Sequence, residues 1–169
     1  MARPELAGLV ELGMLDAELA GLLSVLGDHG VPVVVASREP ALAGNLSSAL
    51  AGVSGTLAAD SLEEVVRLAG GSAQGGVPDE LREMGLVVVA RTVDGQPRVA
   101  AAHYVRPLER DAGGHVQRRG PAVLAAYDGH NGEWEHFAWA IGAELAERAG
   151  MSLRDFEAEL DRRRRELGR

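Results

Sequence analysis

Cysteine is absent from the 169 residues, which excludes disulfides, thiolate nucleophiles and cysteine-type zinc sites. Lysine is absent too, because all 17 basic residues are arginines. That excludes Schiff-base chemistry and the lysine of a P-loop. Aromatic residues make up only 4% of the chain and isoleucine occurs once, as Ile141. The core must therefore be built from Ala, Val and Leu. No apolar run approaches the roughly 20 residues that span a bilayer. The N-terminal stretch MARPELAGLVELG lacks the basic-then-apolar order of a secretory signal, so the expected compartment is the cytoplasm. The net charge is −8, which argues against non-specific binding to nucleic acid or anionic membrane.

What is present suits one α/β domain. A hydrophobic fraction of 46% supplies a sizeable core. Residues 1–84 read as a helix-rich α/β half, 85–139 as a β meander and 140–169 as C-terminal helices. The organising stretch is Gly30 to Leu50. Its run from Val31 to Ala36 is short, apolar and β-branched, the composition of a strand covered on both faces. Leu42, Leu46, Ala49 and Leu50 then fall at helical spacing. Upstream, helices are expected over Pro4–Leu12 and over Ala17–Leu26, the second capped by Asp16 and ended by Gly27 and Gly30. Downstream come a short strand within Ser54–Asp60 and a helix opened by the capping box at Ser61. A glycine-rich loop over Gly70–Gly76 and a short helix over Pro78–Met84 follow.

The second half is patterned in pairs. Leu86 to Ala90 is a strong strand, Asp94-Gly95 a hairpin turn and Arg98 to Arg106 the return. Asp111 to Gly114 makes another turn. Pro121 to Tyr127 pairs with Trp134 to Ala138 around Asn131-Gly132. On that last strand Phe137 and Trp139 share one face and Trp134 the other. Two helices close the chain, Ala140–Arg148 ended by Gly150, and one capped by Ser152 with Leu153, Phe156 and Leu160 facing inward.

A strand that runs into a helix through a small turn is where α/β proteins often hold phosphate. The order of residues here resembles the motor domain of the type II/type IV secretion ATPases, the hexameric P-loop proteins of pilus assembly and secretion. The stretch LVELGMLDAELAGLLSVLGDHGVPVVVAS resembles the start of that domain. LREMGLVVVARTVDGQPRVAAAHYVRP is similar to its late hairpin, and PAVLAAYDGHNGEWEHF with LAERAGMSLRDFEAEL to its C-terminal end. The likeness covers residues 8–50 and 80–160. It implies a P-loop-like strand–turn–helix start, followed by an antiparallel meander and C-terminal helices.

The chain departs from that family where catalysis would reside. Ser37 stands where the first loop glycine belongs. Leu42, Ala43 and Gly44 stand where Gly-Lys-Ser/Thr belongs. Nothing supplies backbone freedom, a cation for the β/γ-phosphates or a hydroxyl for Mg²⁺. Ala51 to Gly85 is also too short for the family's middle section, and Asp60 with Glu63 and Glu64 does not rebuild the Walker B region. The expectation is a non-catalytic binding or assembly module with no cofactor. Its partner would be further copies of itself or another protein, without nucleic acid and without membrane insertion.

Candidate ligand-binding positions are Ser37, Arg38, Asn45 and Ser47 around the old phosphate turn. Arg106, Arg118 and Arg119, with Arg110 nearby, flank one turn and could converge on an anion or an acidic partner. The alternative is a small enzyme or ligand-binding protein using the His, Asp, Glu and Arg groups of the β half. His103, His115, His130 and His136 all lie there, but without HExxH or His-x-His spacing. His103 is expected to be packed and hydrogen-bonded. No G-x-S-x-G elbow marks an activated serine. The run Arg162 to Arg165 reads as cations complementing a helix C-terminus and pairing with upstream acids.

Overall fold

The computed structural model describes residues 3–69, 85–117 and 119–169. The expected glycine-rich loop at 70–76, the helix at 78–84 and Arg118 lie outside the described residues. Helix α1 (Pro4–Glu11) opens on a proline, where a missing N–H breaks no helical bond. Helix α2 (Ala17–Asp28) is capped as expected, with the Asp16 carboxylate accepting the Leu19 N–H at 2.8 Å. It runs past Leu26, so Gly27 lies inside the helix rather than at its end. The reason is close approach, since a Cβ on Gly27 would lie 2.5 Å from the Ala51 carbonyl oxygen.

Strand β1 (Val33–Ala36) starts two residues later than expected. Val31 still belongs to the turn that ends α2, its N–H bonding the Leu26 carbonyl at 3.0 Å. Pro32 has no N–H to give a ladder. Helix α3 (Pro40–Ala49), strand β2 (Val53–Leu57) and helix α4 (Leu62–Leu68) follow, with the Ser61 hydroxyl accepting the Glu64 N–H at 3.2 Å. Strands β3 (Leu86–Val93) and β4 (Gln96–Tyr104) form a hairpin. Asp94 at φ 52° and Gly95 at φ 76° are the two left-handed residues its tight turn requires. A two-stranded ribbon, β5 (Glu109–Arg110) with β6 (Val116–Gln117), flanks the Asp111 turn.

Strands β7 (Ala122–Asp128) and β8 (Glu133–His136) form the last pair. The Asp128 carboxylate organises their connection, accepting from the His130 N–H at 2.8 Å and the Asn131 amide at 2.6 Å. The final strand is shorter than the sequence reading. Its ladder ends with the Phe137 N–H on the Leu124 carbonyl at 2.8 Å, and a 3₁₀ turn (Ala138–Ile141) takes over. Trp139 is therefore on that turn and not on a strand face shared with Phe137. Helices α5 (Gly142–Arg148) and α6 (Leu153–Leu167) close the chain, α6 with Ser152 as its cap.

One mixed sheet joins both halves in the order β2-β1-β3-β4-β7-β8. The β2-β1-β3 side is parallel and the rest antiparallel. The continuous apolar run of β1 is explained by cover on both faces. Val33 and Val35 point into the main core with Leu86, Val88 and Ala90 of β3 and residues of α1, α2, α3, α5 and α6. Val34 and Ala36 point to the other face, with Val87, Val89 and Val105 under Val65 of α4. The chain is thus α/β, with a strand–turn–helix start, a meander and terminal helices. No helix among the described residues is long and apolar enough to cross a membrane.

Candidate functional site

The connection leaving β1 goes to α3 on one face of the sheet, and the connection leaving β2 goes to α4 on the other. Open α/β sheets bind ligands at such switch points, beyond the carboxyl ends of the strands. Here that position is filled by the chain itself. Ser37 is buried; its N–H bonds the Leu57 carbonyl at 2.9 Å and its hydroxyl accepts the Glu39 N–H at 3.1 Å. The Arg38 guanidinium is paired with Glu64 and lies 3.8 Å from Asp60. Glu64 also accepts the Asp60 N–H at 3.0 Å. That amide, and then Arg38, hold the Glu64 carboxyl below its usual range. Glu39, the residue before α3, turns its carboxylate onto Thr92 of β3, bonding the N–H at 2.7 Å and the hydroxyl at 2.8 Å. An anion of the chain's own therefore sits beside the helix start, and Pro40 gives that start no N–H.

The other two residues of the predicted set do not join the turn. Asn45 is exposed on α3, and the Ser47 hydroxyl is buried in the helix packing without a hydrogen-bond partner. The arginine set fares differently. Arg106 and Arg119 do converge, but on Glu144 of α5. Arg106 Nε lies 2.8 Å from it and an Arg119 amino nitrogen 3.3 Å, while Arg119 also reaches Glu109 at 2.7 Å. The Arg106 hydrogen bond is the main cause that lowers the Glu144 pKa. Arg110 bonds the Gly114 carbonyl at 3.2 Å.

The histidines are spread over separate elements. His115 is in the β5–β6 turn, 3.4 Å from Asp111, and His130 is in the β7–β8 loop. His103 is packed on β4, where burial lowers its pKa. The packing is as expected, but of the expected hydrogen bonding Nδ1 takes no part, being buried without a partner. His136 ends β8 with Nε2 2.7 Å from Asp16, tying the last strand to the cap of α2. That hydrogen bond and the Asp16 charge raise its pKa against an opposing desolvation, with Glu18 adding to the rise and Arg164 reducing it. No group of three or more metal-type ligands occurs among the described residues.

The arginine run behaves as the sequence suggests. Arg162 pairs with Glu159 and Glu166, and Arg164 lies 3.5 Å from Glu18. Arg163 is buried, 2.9 Å from Asp28 and 2.6 Å from the Ser24 hydroxyl, and so locks α6 against α2.

The concave feature that sequence reasoning missed lies at the opposite end of the chemistry. A groove of about 530 Å³ runs between α2, the 3₁₀ turn, α5 and α6. Leu22, Leu145, Phe156 and Leu160 form its floor, with Trp139 and Leu153 at its lip. Trp139 is 81% exposed, yet its indole N–H is satisfied by the His136 carbonyl at 3.1 Å. The ring thus satisfies its one polar group within the chain and leaves its apolar surface toward solvent. The signal for the groove was partly visible as the Leu153/Phe156/Leu160 stripe, although Leu153, expected to face inward, is 43% exposed at the lip. Assigning Trp139 to a strand hid the rest.

The chain matches no protein-family model, and comparison with curated proteins finds no significant match.

Proposed function

We propose that this chain is a non-catalytic binding or assembly module, a reduced relative of the secretion-type P-loop motor domains. It retains their strand–turn–helix scaffold without the parts that grip a nucleotide. In this reading it works in the cytoplasm through protein contacts, with further copies of itself or with an intact relative in a pilus or secretion assembly. It takes no nucleotide, nucleic acid or membrane as ligand.

The observation that supports this most directly is the closed β1–α3 turn. A triphosphate needs a concave set of free N–H donors and a cation. At this turn the Ser37 and Glu39 amides are spent within the chain and Arg38 is engaged by Glu64. A carboxylate, Glu39, occupies the helix start and would repel phosphate. The test is thermal unfolding with and without Mg-ATP, together with a phosphate-release assay. The expected result is no change in Tm and no turnover. Mg²⁺-dependent stabilisation by ATP, or measurable hydrolysis, would overturn the reading.

A further inference from the structure

We infer that the groove between α2, α5 and α6 docks a basic amphipathic helix from a protein partner. The inference rests on the binding-module reading and names the surface and the chemistry of the partner.

Three observations select this occupant. The first is the shape of the groove. Its α6 wall carries Leu153, Glu157, Leu160, Asp161 and Arg164, three turns of helix or about 16 Å. That length matches a partner helix presenting apolar residues at i, i+4 and i+7. The second is the anchor. Trp139, exposed with its indole N–H already bonded to the His136 carbonyl, stands with the buried Phe156 along the groove, a large aromatic of the kind that interface hot spots favour.

The third is charge. Glu18, Glu144, Glu157 and Asp161 line the rim against Arg164 and His136. Of these, Glu18 is met by Arg164, and Glu144 by Arg106 and Arg119. Glu157 and Asp161, one turn apart and exposed, have no ion-pair partner among the described residues. They favour Arg or Lys opposite. A second copy of this chain fits poorly, because a two-fold contact would set these acids against themselves on a molecule of net charge −8. A small polar ligand fits poorly as well. It needs convergent free polar groups, and the two that are free lie on the outer lip.

The test is fluorescence anisotropy of a labelled Leu/Lys peptide patterned as an amphipathic helix, titrated with the full chain at low salt. Saturable binding with a blue shift of tryptophan emission is expected. Trp139→Ala should weaken it roughly thirtyfold, and the double charge reversal E157R/D161R roughly tenfold. All three positions are exposed, so both variants should fold, which circular dichroism checks. Absence of saturable binding would overturn the inference. So would equal binding of a scrambled peptide of the same composition or of the Leu/Glu counterpart, or unchanged affinity in either variant. A concentration-dependent dimer abolished by Trp139→Ala would give the groove to a second copy and also overturn it. The outcome is separable from the nucleotide test. Peptide binding alongside Mg-ATP stabilisation would sink the proposed function and leave the groove standing. Failure of the peptide with no nucleotide effect would do the reverse.

Discussion

The β1–α3 turn and the α5–α6 groove are opposite solutions to the same problem, how to finish an exposed corner of a packed α/β layer. At the turn, each polar group that the fold brings together meets another from the same chain. Arg38 finds Glu64, Glu39 finds Thr92, and Ser37 bonds on both its amide and hydroxyl sides. At the groove the floor is largely buried, with Phe156 1% exposed, but the lip leaves Trp139 and Leu153 open to solvent beside the acids of the rim. A polar corner can be closed locally, because one hydrogen-bond partner satisfies a group. An apolar corner closes only when enough area is covered, and nothing in the described chain covers this one. The strand–helix turn, where α/β folds often hold a ligand, is therefore the corner whose polar groups are already engaged within the chain.

The largest effect expected from breaking this comparison lies under the groove. Phe156→Ala removes a fully buried ring and should cost about 3–5 kcal/mol of stability, measured by urea unfolding. An effect below about 1 kcal/mol would mean that the floor is not part of the core. Next is the turn. Glu39→Ala removes two bonds to Thr92 and should cost about 1–2 kcal/mol, again by urea unfolding. It should still leave Mg-ATP without effect, because no lysine or glycine cradle is created. Nucleotide binding by this variant would show that Glu39 alone keeps the turn closed.

A subtler effect is pH-dependent. His136 is raised above its ordinary pKa by Asp16, so its contribution is fully present below about pH 6.5 and fades as pH rises through the raised value. His136→Gln should therefore be less stable than the parent near pH 5.5 and converge with it at high pH. A deficit that grows with pH would contradict the pairing. The smallest effect is at the lip. Trp139→Ala should change stability by no more than about 0.5 kcal/mol, which is what distinguishes an unpartnered docking residue from a structural one.

Much of the fold was legible because its signals are local. Asp16, Ser61 and Ser152 cap helices as their positions predict, since a cap needs only a side-chain oxygen within reach of the next turn. Asp94-Gly95 makes the tight hairpin for the same local reason. The candidate sites were less legible. Arg38 and Arg106 could be named as notable cations, but their partners Glu64 and Glu144 lie 26 and 38 residues away. The strand assigned through Ala138 failed because the indole bond from Trp139 to His136 and the turn into Gly142 are tighter than a strand pattern can register.

The sequence by itself determined the element types, most of their ends and the lack of a glycine-and-lysine loop after β1, because each depends on residues within a turn or two of one another. Only the tertiary structure decided which charges cancel and which surface stays uncovered. Those outcomes depend on how α2, α5 and α6 meet around Phe156, and on how β2 and β3 flank β1. Such contacts are fixed by packing across the sheet and leave no periodic trace in the chain.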